Sequence, residues 1–367
     1  MSRRTVVVAG ASGVIGQAAA EHFARGGFGQ VIGISRREPN LPPSLGVKHL
    51  PLDLLDADAC RNAAPQLAQA THLVFAALFE KPGLVAGWYE EDQMATNLAM
   101  LKNLMEPLLQ AAPDLRHVSV LQGTKAYGAH VHAISVPARE SWPRDPHANF
   151  YWLQEDYLRG LRRDANWSLT VWRPQVVFGT ATGAAMNIIP VLGAYAAIQR
   201  ELGRPLAFPG RPGGVAEAVS ADLVAQALLW AAEAPQAADE TFNVTNGDVF
   251  TWEGVWPAIA AALKMEATYA EPFSIAQYLM DHADVWDRIV EREGLLPLSL
   301  PQLVGESHHY ADLLFGVDAP ADAARAPVLV STIKLRQAGF GDCEDTERMF
   351  ARLLGDIAHM GIVPRAR

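Results

Sequence analysis

Cysteine is almost missing from this chain of 367 residues: there are two, Cys60 and Cys343, in no Cys-x-x-Cys or metal-ligand spacing. That excludes a disulfide-stapled secreted scaffold and suits a reducing cytoplasm. A basic stripe is lacking as well. The net charge is −10 with no block of like charges, so a nucleic-acid partner is not expected. Long apolar runs are missing too. The nearest, Ile188 to Ile198, carries Pro190 and Gly193 and falls short of the ~20 residues that span a bilayer, so no membrane partner is expected. Arg3 and Arg4 before Thr5-Val6-Val7-Val8-Ala9 imitate a signal peptide, but glycines break the apolar run at once and it reads as a first strand. His130 with His132, and His308 with His309, have no zinc spacing, and no metal is expected. What is plentiful is core material: 50% of residues are apolar and 19% charged, enough for more than one minimal domain.

Up to residue 175, short apolar β-rich runs alternate with helical patterns, the order of an α/β protein with a Rossmann-type doubly wound parallel sheet. The runs are Thr5 to Ala9, Gln30 to Ser35, Val47 to Leu52, His72 to Leu78, His117 to Gln122 and Ser168 to Trp172, with helical stretches such as Gln17 to Arg25, Asp56 to Gln69 and Asp92 to Gln110 between them. After Pro174 the pattern turns to longer helices, Ala185 to Leu202 and Ala218 to Ala232. The expected division is a dinucleotide-binding domain over 1–175 and a smaller helix-rich substrate-binding part over 176–367. Elements from 215–250, Thr241 to Val244 among them, return to the main sheet.

Gly10-Ala11-Ser12-Gly13-Val14-Ile15-Gly16 joins the first strand to the first helix, the context a dinucleotide fingerprint demands. The first glycine permits the tight turn, the second lets backbone approach a pyrophosphate, and the third allows helix-to-strand packing; Gly10, Ser12, Gly13, Val14, Ile15 and Gly16 are the expected phosphate-side contacts. The second strand ends in Ser35-Arg36-Arg37 rather than in a carboxylate. Two guanidinium groups suit a ribose 2′-phosphate, so NADP(H) is the expected cofactor. Asp53 and Leu54 stand where adenine would be met, though Asp53 serves equally as a helix cap. Ala76, Ala77, Gln122 and Gly123, at the carboxyl ends of later strands, complete that wall.

Phe242-Asn243-Val244-Thr245-Asn246-Gly247-Asp248 resembles a phrase of extended short-chain dehydrogenase/reductases, yet no tyrosine here has a lysine four positions later. Two other phrases hold the polar chemistry: Gly123-Thr124-Lys125-Ala126-Tyr127 after the fifth strand, and Asn149-Phe150-Tyr151-Trp152 with Glu155-Asp156 at a helix start. Lysine is rare, six of the 30 basic residues, which makes Lys125 at a strand end stand out. These phrases resemble those of the progesterone 5β-reductase/iridoid synthase-like (PRISE) enone reductases. So do Trp172-Arg173-Pro174, Val177-Phe178-Gly179, Met186-Asn187, Asn246-Gly247-Asp248-Val249-Phe250 with Trp252, Glu293-Gly294-Leu295 and Gly361-Ile362-Val363-Pro364. The likeness runs through nearly the whole chain. Two departures concern the pocket: Trp152 stands where the family usually has a second tyrosine, and Ala76-Ala77-Leu78-Phe79-Glu80 replaces a tryptophan-containing phrase.

The resemblance implies that Tyr151 and Lys125 are catalytic in NADPH-dependent hydride transfer to the β-carbon of an α,β-unsaturated carbonyl. Tyr151 would polarise the carbonyl, while Lys125 holds the nicotinamide ribose and keeps the phenol acidic. Pro174, Val176 and Val177 would seat the carboxamide. Tyr127 is either a helper or a packed aromatic, and Phe79, Trp152, Phe178 and Met186 are either apolar pocket walls or ordinary core. Residues 271–325, with Trp286 and His308-His309-Tyr310, are expected to shape a lid. The expected substrate is a small apolar carbonyl compound, with a homodimer as one option for assembly. Three alternatives stay open: 1,2-reduction of an aldehyde or ketone, nucleotide-sugar epimerisation or dehydration, and a non-enzymatic NADP sensor.

Overall fold

A computed structural model describes residues 4–163, 165–320 and 325–366. Arg3 and residues 321–324 of the expected lid lie outside the described residues. The first half runs β1 (Thr5–Ala9), α1 (Val14–Arg25), β2 (Gln30–Ser35), β3 (Lys48–Pro51), α2 (Ala57–Ala63), β4 (His72–Phe75), α3 (Glu91–Ala111), β5 (His117–Leu121), α4 (Phe150–Arg162) and β6 (Ser168–Pro174). The remainder comprises β7 (Val177–Phe178), α5 (Ile189–Glu201), β8 (Leu206–Phe208), β9 (Val219–Ser220), α6 (Ala221–Ala231), β10 (Thr241–Val244), α7 (Trp252–Ala262), β11 (Ala267–Tyr269), α8 (Ile275–Asp281), α9 (Ala283–Glu293), α10 (Leu300–Val304), α11 (Ser307–Phe315), α12 (Ile333–Gln337) and α13 (Thr346–His359).

Seven parallel strands form the main sheet in the order β10-β6-β5-β4-β1-β2-β3, so the chain reverses direction of travel between β1 and β4. Such a reversal opens a crevice at the carboxyl ends of the two strands. Both faces are covered, as the continuous apolar runs foretell. Val6 and Val8 pack with α1 and α6, while Val7 and Ala9 pack with Leu101, Leu104 and Leu108 of α3. β4 and β5 are shorter than their apolar runs, and Ala76, Ala77 and Gln122 are already loop. β10 joins β6 in register, Thr241 opposite Val171, as expected of the returning segment.

The C-terminal helices gather around Trp252, Trp256, Trp286, Phe315 and Phe350 in a second core. Residues 328–331 travel back to the main sheet. Gln175 Nε2 donates to the Val328 carbonyl at 2.5 Å, Val330 N–H to Glu217 at 2.8 Å, and Asn243 Nδ2 to the Ser331 carbonyl at 3.1 Å. Among the described residues no helix is long and apolar enough to cross a membrane, and no group of three His, Cys, Asp or Glu could hold a metal ion.

Candidate active site

A cavity of about 550 Å³ opens at the crevice between β1 and β4. Gly10 turns with φ +84°, and a Cβ there would stand 2.7 Å from the Ala77 amide and 2.8 Å from the Ala76 carbonyl. Only glycine fits so close to the end of β4. Gly10, Ser12, Gly13, Val14 and Ile15 all line the cavity, with the N-terminus of α1 directed into it. Gly16 does not line it; a Cβ there would run into the Gly10 carbonyl, so its part is to let α1 approach β1.

Ser35, Arg36, Arg37, Asp53 and Leu54 line the far end. The Ser35 hydroxyl donates to the Arg37 carbonyl at 2.6 Å and bends the chain so that both arginines follow the cavity rim. Arg37 reaches across to the carbonyls of Thr182 and Gly183, at 3.4 Å each. The cap of α2 is Asp56, which accepts from Ala59 N–H at 2.9 Å; Asp53 instead accepts from Leu55 N–H at 3.0 Å in its own turn.

At the centre lie Ala76, Ala77, Gln122, Gly123, Lys125, Tyr151, Pro174, Val176 and Val177. The lysine comes from a single 3₁₀ turn (Thr124–Tyr127) after β5, the tyrosine from the first turn of α4. Asn149 joins the two: its Oδ1 accepts from Tyr151 N–H at 3.0 Å while its Nδ2 donates to the Lys125 carbonyl at 3.2 Å. The Tyr151 hydroxyl lies over Gly123, 3.3 Å from where a Cβ would be. Burial, with Glu80 and Tyr310 adding smaller effects, pushes the phenol well above its ordinary value and keeps it a neutral donor. Lys125 is not among the groups that shift the phenol. Its ammonium is engaged elsewhere, 3.5 Å from Glu80 Oε1 and 3.7 Å over the Trp88 ring. Burial pushes its own pKa down to about 8, against the raising influence of Glu80.

Of the five expected substrate-side residues, Phe79 and Met186 line the cavity, joined by Leu78, Met100 and Tyr310. The Phe79 backbone is clamped by Asn97, which accepts from its N–H and donates to its carbonyl, both at 2.9 Å. The other three face elsewhere. Phe178 is fully buried in the C-terminal core, 5.1 Å from Phe350 by ring centroids. Trp152, one residue and about 100° around α4 from Tyr151, turns away from the cavity and lies under Arg144 and Arg173. Tyr127, two positions past Lys125 on a turn of about three residues, donates to Asn243 Oδ1 at 2.7 Å beneath the sheet end, the packed-aromatic option. Sequence reasoning gave no role to Glu80, Trp88 or Gln93, because nothing in the spacing of Glu80 and Lys125 brings them together. Tyr310 is part of the expected lid, and its phenol faces the same cavity as Tyr151.

The PRISE-like Rossmann-fold domain matches residues 54–299. The chain belongs to the PRISE family. Similar relatives include the (S)-8-oxocitronellyl enol synthase of Antirrhinum majus, 28% identical over 98% of this chain and 92% of that protein. The 3-oxo-Delta(4,5)-steroid 5-beta-reductase of Arabidopsis thaliana is also 28% identical over the same shares. The (S)-8-oxocitronellyl enol synthase of Catharanthus roseus is 30% identical over 85% of this chain and 82% of its own length. Among solved structures, the UDP-glucose 4-epimerase of Thermotoga maritima superposes with a TM-score of 0.67 at 15% identity, covering 97% of this chain and 98% of that one. At that identity the likeness concerns the fold. This PRISE protein is thus an oxidoreductase built on a Rossmann-type sheet.

Proposed function

We propose that this PRISE protein is an NADPH-dependent enone reductase acting on small apolar α,β-unsaturated carbonyl compounds. The observation that carries the reading is the Tyr151 hydroxyl over Gly123, in the same cavity as Lys125 and the glycine loop. The cavity suits a dinucleotide: the Gly10 turn lies tight against the end of β4, and the N-terminus of α1 attracts a pyrophosphate. Arg36 and Arg37 would hold a 2′-phosphate, Ala76 and Ala77 would flank the pyrophosphate turn, and the backbone from Pro174 to Val177 would meet the carboxamide. When bound, NADPH supplies the hydride, directed in this reading to the β-carbon of the enone.

The protein's own part is to stabilise the oxygen on which charge builds. A neutral, buried phenol donates a stronger hydrogen bond to an enolate-like oxygen than to a ketone, so it favours the transition state over the ground state. Lys125 offers the cofactor ribose a fixed cation. Phe79, Met100 and Met186 exclude water from the reacting carbons. The curated relatives support the choice of substrate class: one kind is named for forming an enol, another for reducing a 3-oxo-Δ4,5 steroid. The two unpaired cysteines fit a reducing, cytoplasmic setting.

The test is turnover of NADPH with 2-cyclohexen-1-one, with product analysis. Saturated ketone is expected, and allylic alcohol would establish 1,2-reduction instead. Tyr151→Phe should lower kcat by about 100-fold or more, the scale of losing one oxyanion donor, with NADPH affinity within twofold. Undiminished turnover in that variant removes Tyr151 from the role. Replacing Arg36 and Arg37 together by Ala should weaken NADPH binding by about tenfold or more while NADH binding barely changes, as titrated by fluorescence. An equal loss for both cofactors would defeat the 2′-phosphate assignment.

A further inference from the structure

The buried carboxyl of Glu80 is not used by the mechanism above. It sits on the loop after β4, with its side chain 2% exposed, and its two oxygens are treated differently. Oε2 accepts from Trp88 Nε1 at 3.1 Å and from Gln93 Nε2 at 2.7 Å. Oε1 faces the Lys125 ammonium at 3.5 Å. The Trp88 ring that donates to Glu80 also lies 3.7 Å beneath the same ammonium. Glu80, Trp88 and Lys125 therefore close a triangle of ion pair, N–H hydrogen bond and cation–π contact.

We propose that Glu80 is a positioning residue of this site: its carboxylate, braced by Trp88 and Gln93, holds Lys125 as a cation at the cavity wall. Burial opposes the charge on both partners, lowering Lys125 and raising Glu80, and each offsets it for the other, with Gln93 and Trp88 also favouring the Glu80 carboxylate. The other groups around the lysine do not supply that charge. His130, from the loop after the 3₁₀ turn, is pushed down to about 4 by burial and is neutral near pH 7. Tyr151 from α4 and Tyr310 from α11 are held neutral by burial, and the Glu306 carboxylate, at the start of α11 on the same cavity, accepts from Gly83 N–H at 2.9 Å and forms no ion pair with Lys125. Gln93 is anchored on α3, and through Glu80 that helix fixes where the ammonium stands.

The inference deepens the reductase reading and rests on it for its meaning, but not for its test. The apo protein is trace-labelled with acetic anhydride over pH 6 to 10, and acetylation of Lys125 is followed by peptide mass spectrometry. In Glu80→Gln the amide oxygen can still accept from Trp88 and Gln93 while the charge is gone. The midpoint of Lys125 labelling should drop by about one pH unit or more, raising its labelling rate at pH 7 by about fivefold or more. The basic limb of kcat/KM for NADPH should move in step. Glu80→Asp, with the charge kept on a shorter arm, should lie between wild type and Glu80→Gln. An unchanged midpoint in Glu80→Gln overturns the proposal. Should that variant not fold, Glu80→Asp decides alone, and an unchanged midpoint there overturns it equally. If the wild type reduces no enone while the labelling shift appears, the reductase reading falls and the role of Glu80 stands. If turnover is robust but the labelling curves coincide, only the role of Glu80 falls.

Discussion

Gly123 shows how one missing side chain shapes the site. Its backbone is extended, with φ −178°, so alanine could adopt the same conformation, but its Cβ would press on the Tyr151 hydroxyl at 3.3 Å and approach the Pro174 carbonyl at 3.6 Å. Gly123→Ala should therefore lower kcat by about tenfold, between wild type and Tyr151→Phe, because a donor displaced by a fraction of an ångström loses much of its aim. Steady-state kinetics at saturating cofactor checks it, and an unaltered kcat would mean that the phenol has room to spare. At this scale the placing of the glycine loop and of Arg36 and Arg37 along one cavity was legible, since glycine and arginine at fixed offsets from a strand carry their reasons with them. The aromatic residues were not. Phe178, Trp152 and Tyr127 share composition with true pocket walls, and only the direction of each side chain separates them. One position along a helix or two along a 3₁₀ turn is enough to face the other way.

Between elements, two phrases that carry the family resemblance prove to be joints. Asn246 is fully buried just beyond β10; its Oδ1 accepts from Ser220 N–H at 2.9 Å and its Nδ2 donates to Thr346 Oγ1 at 3.1 Å. It thereby ties β9 and α6 to the start of α13, where Asp248 also accepts from Thr346 N–H at 3.0 Å. Asn187 does the same for the loop before α5, donating to the carbonyls of Gly179 and Ala181 at 2.8 Å each. Asn246→Leu should cost about 2 kcal/mol, because it strands the Ser220 N–H without a partner, and a urea melt would show it. A midpoint matching wild type would mean that the joint is dispensable. The strands themselves were readable from their β-branched runs, and β10 was placed in the main sheet. The ends of β4 and β5 were overestimated, because the chain leaves the sheet at the crevice while its composition stays apolar.

Across the whole molecule, the end of the sheet opposite the cavity contains a pair of buried histidines. His72 and His117 are neighbours in register on β4 and β5, and burial pushes them down to about 4 and about 3. Their unfolded value is 6.5, so the stability that comes from keeping them neutral is complete above pH 6.5 and is lost as pH falls toward 4 and 3. Glu217 works in the opposite sense. Burial raises it to about 7 from 4.5, so its contribution is full below pH 4.5 and fades as pH rises through 7. Glu217→Gln removes that opposing proton, and the loss of stability from pH 6.5 down to 5 should become steeper, by about 1.4 kcal/mol per pH unit. Denaturant midpoints at several pH values test this, and parallel curves for variant and wild type would show that Glu217 keeps its ordinary proton affinity in the fold.

The late segment 328–331, which ties Gln175, Glu217 and Asn243 together, bears on the order in which a ribosome delivers the chain. The first six strands of the sheet emerge early, yet β6 waits some seventy residues for its edge partner β10, and the knot over both arrives only after residue 331. A nascent chain halted after residue 175 would therefore present an unpaired β6 edge with a buried-type sequence, Leu169 to Trp172, to the surrounding solvent and to any chaperone nearby.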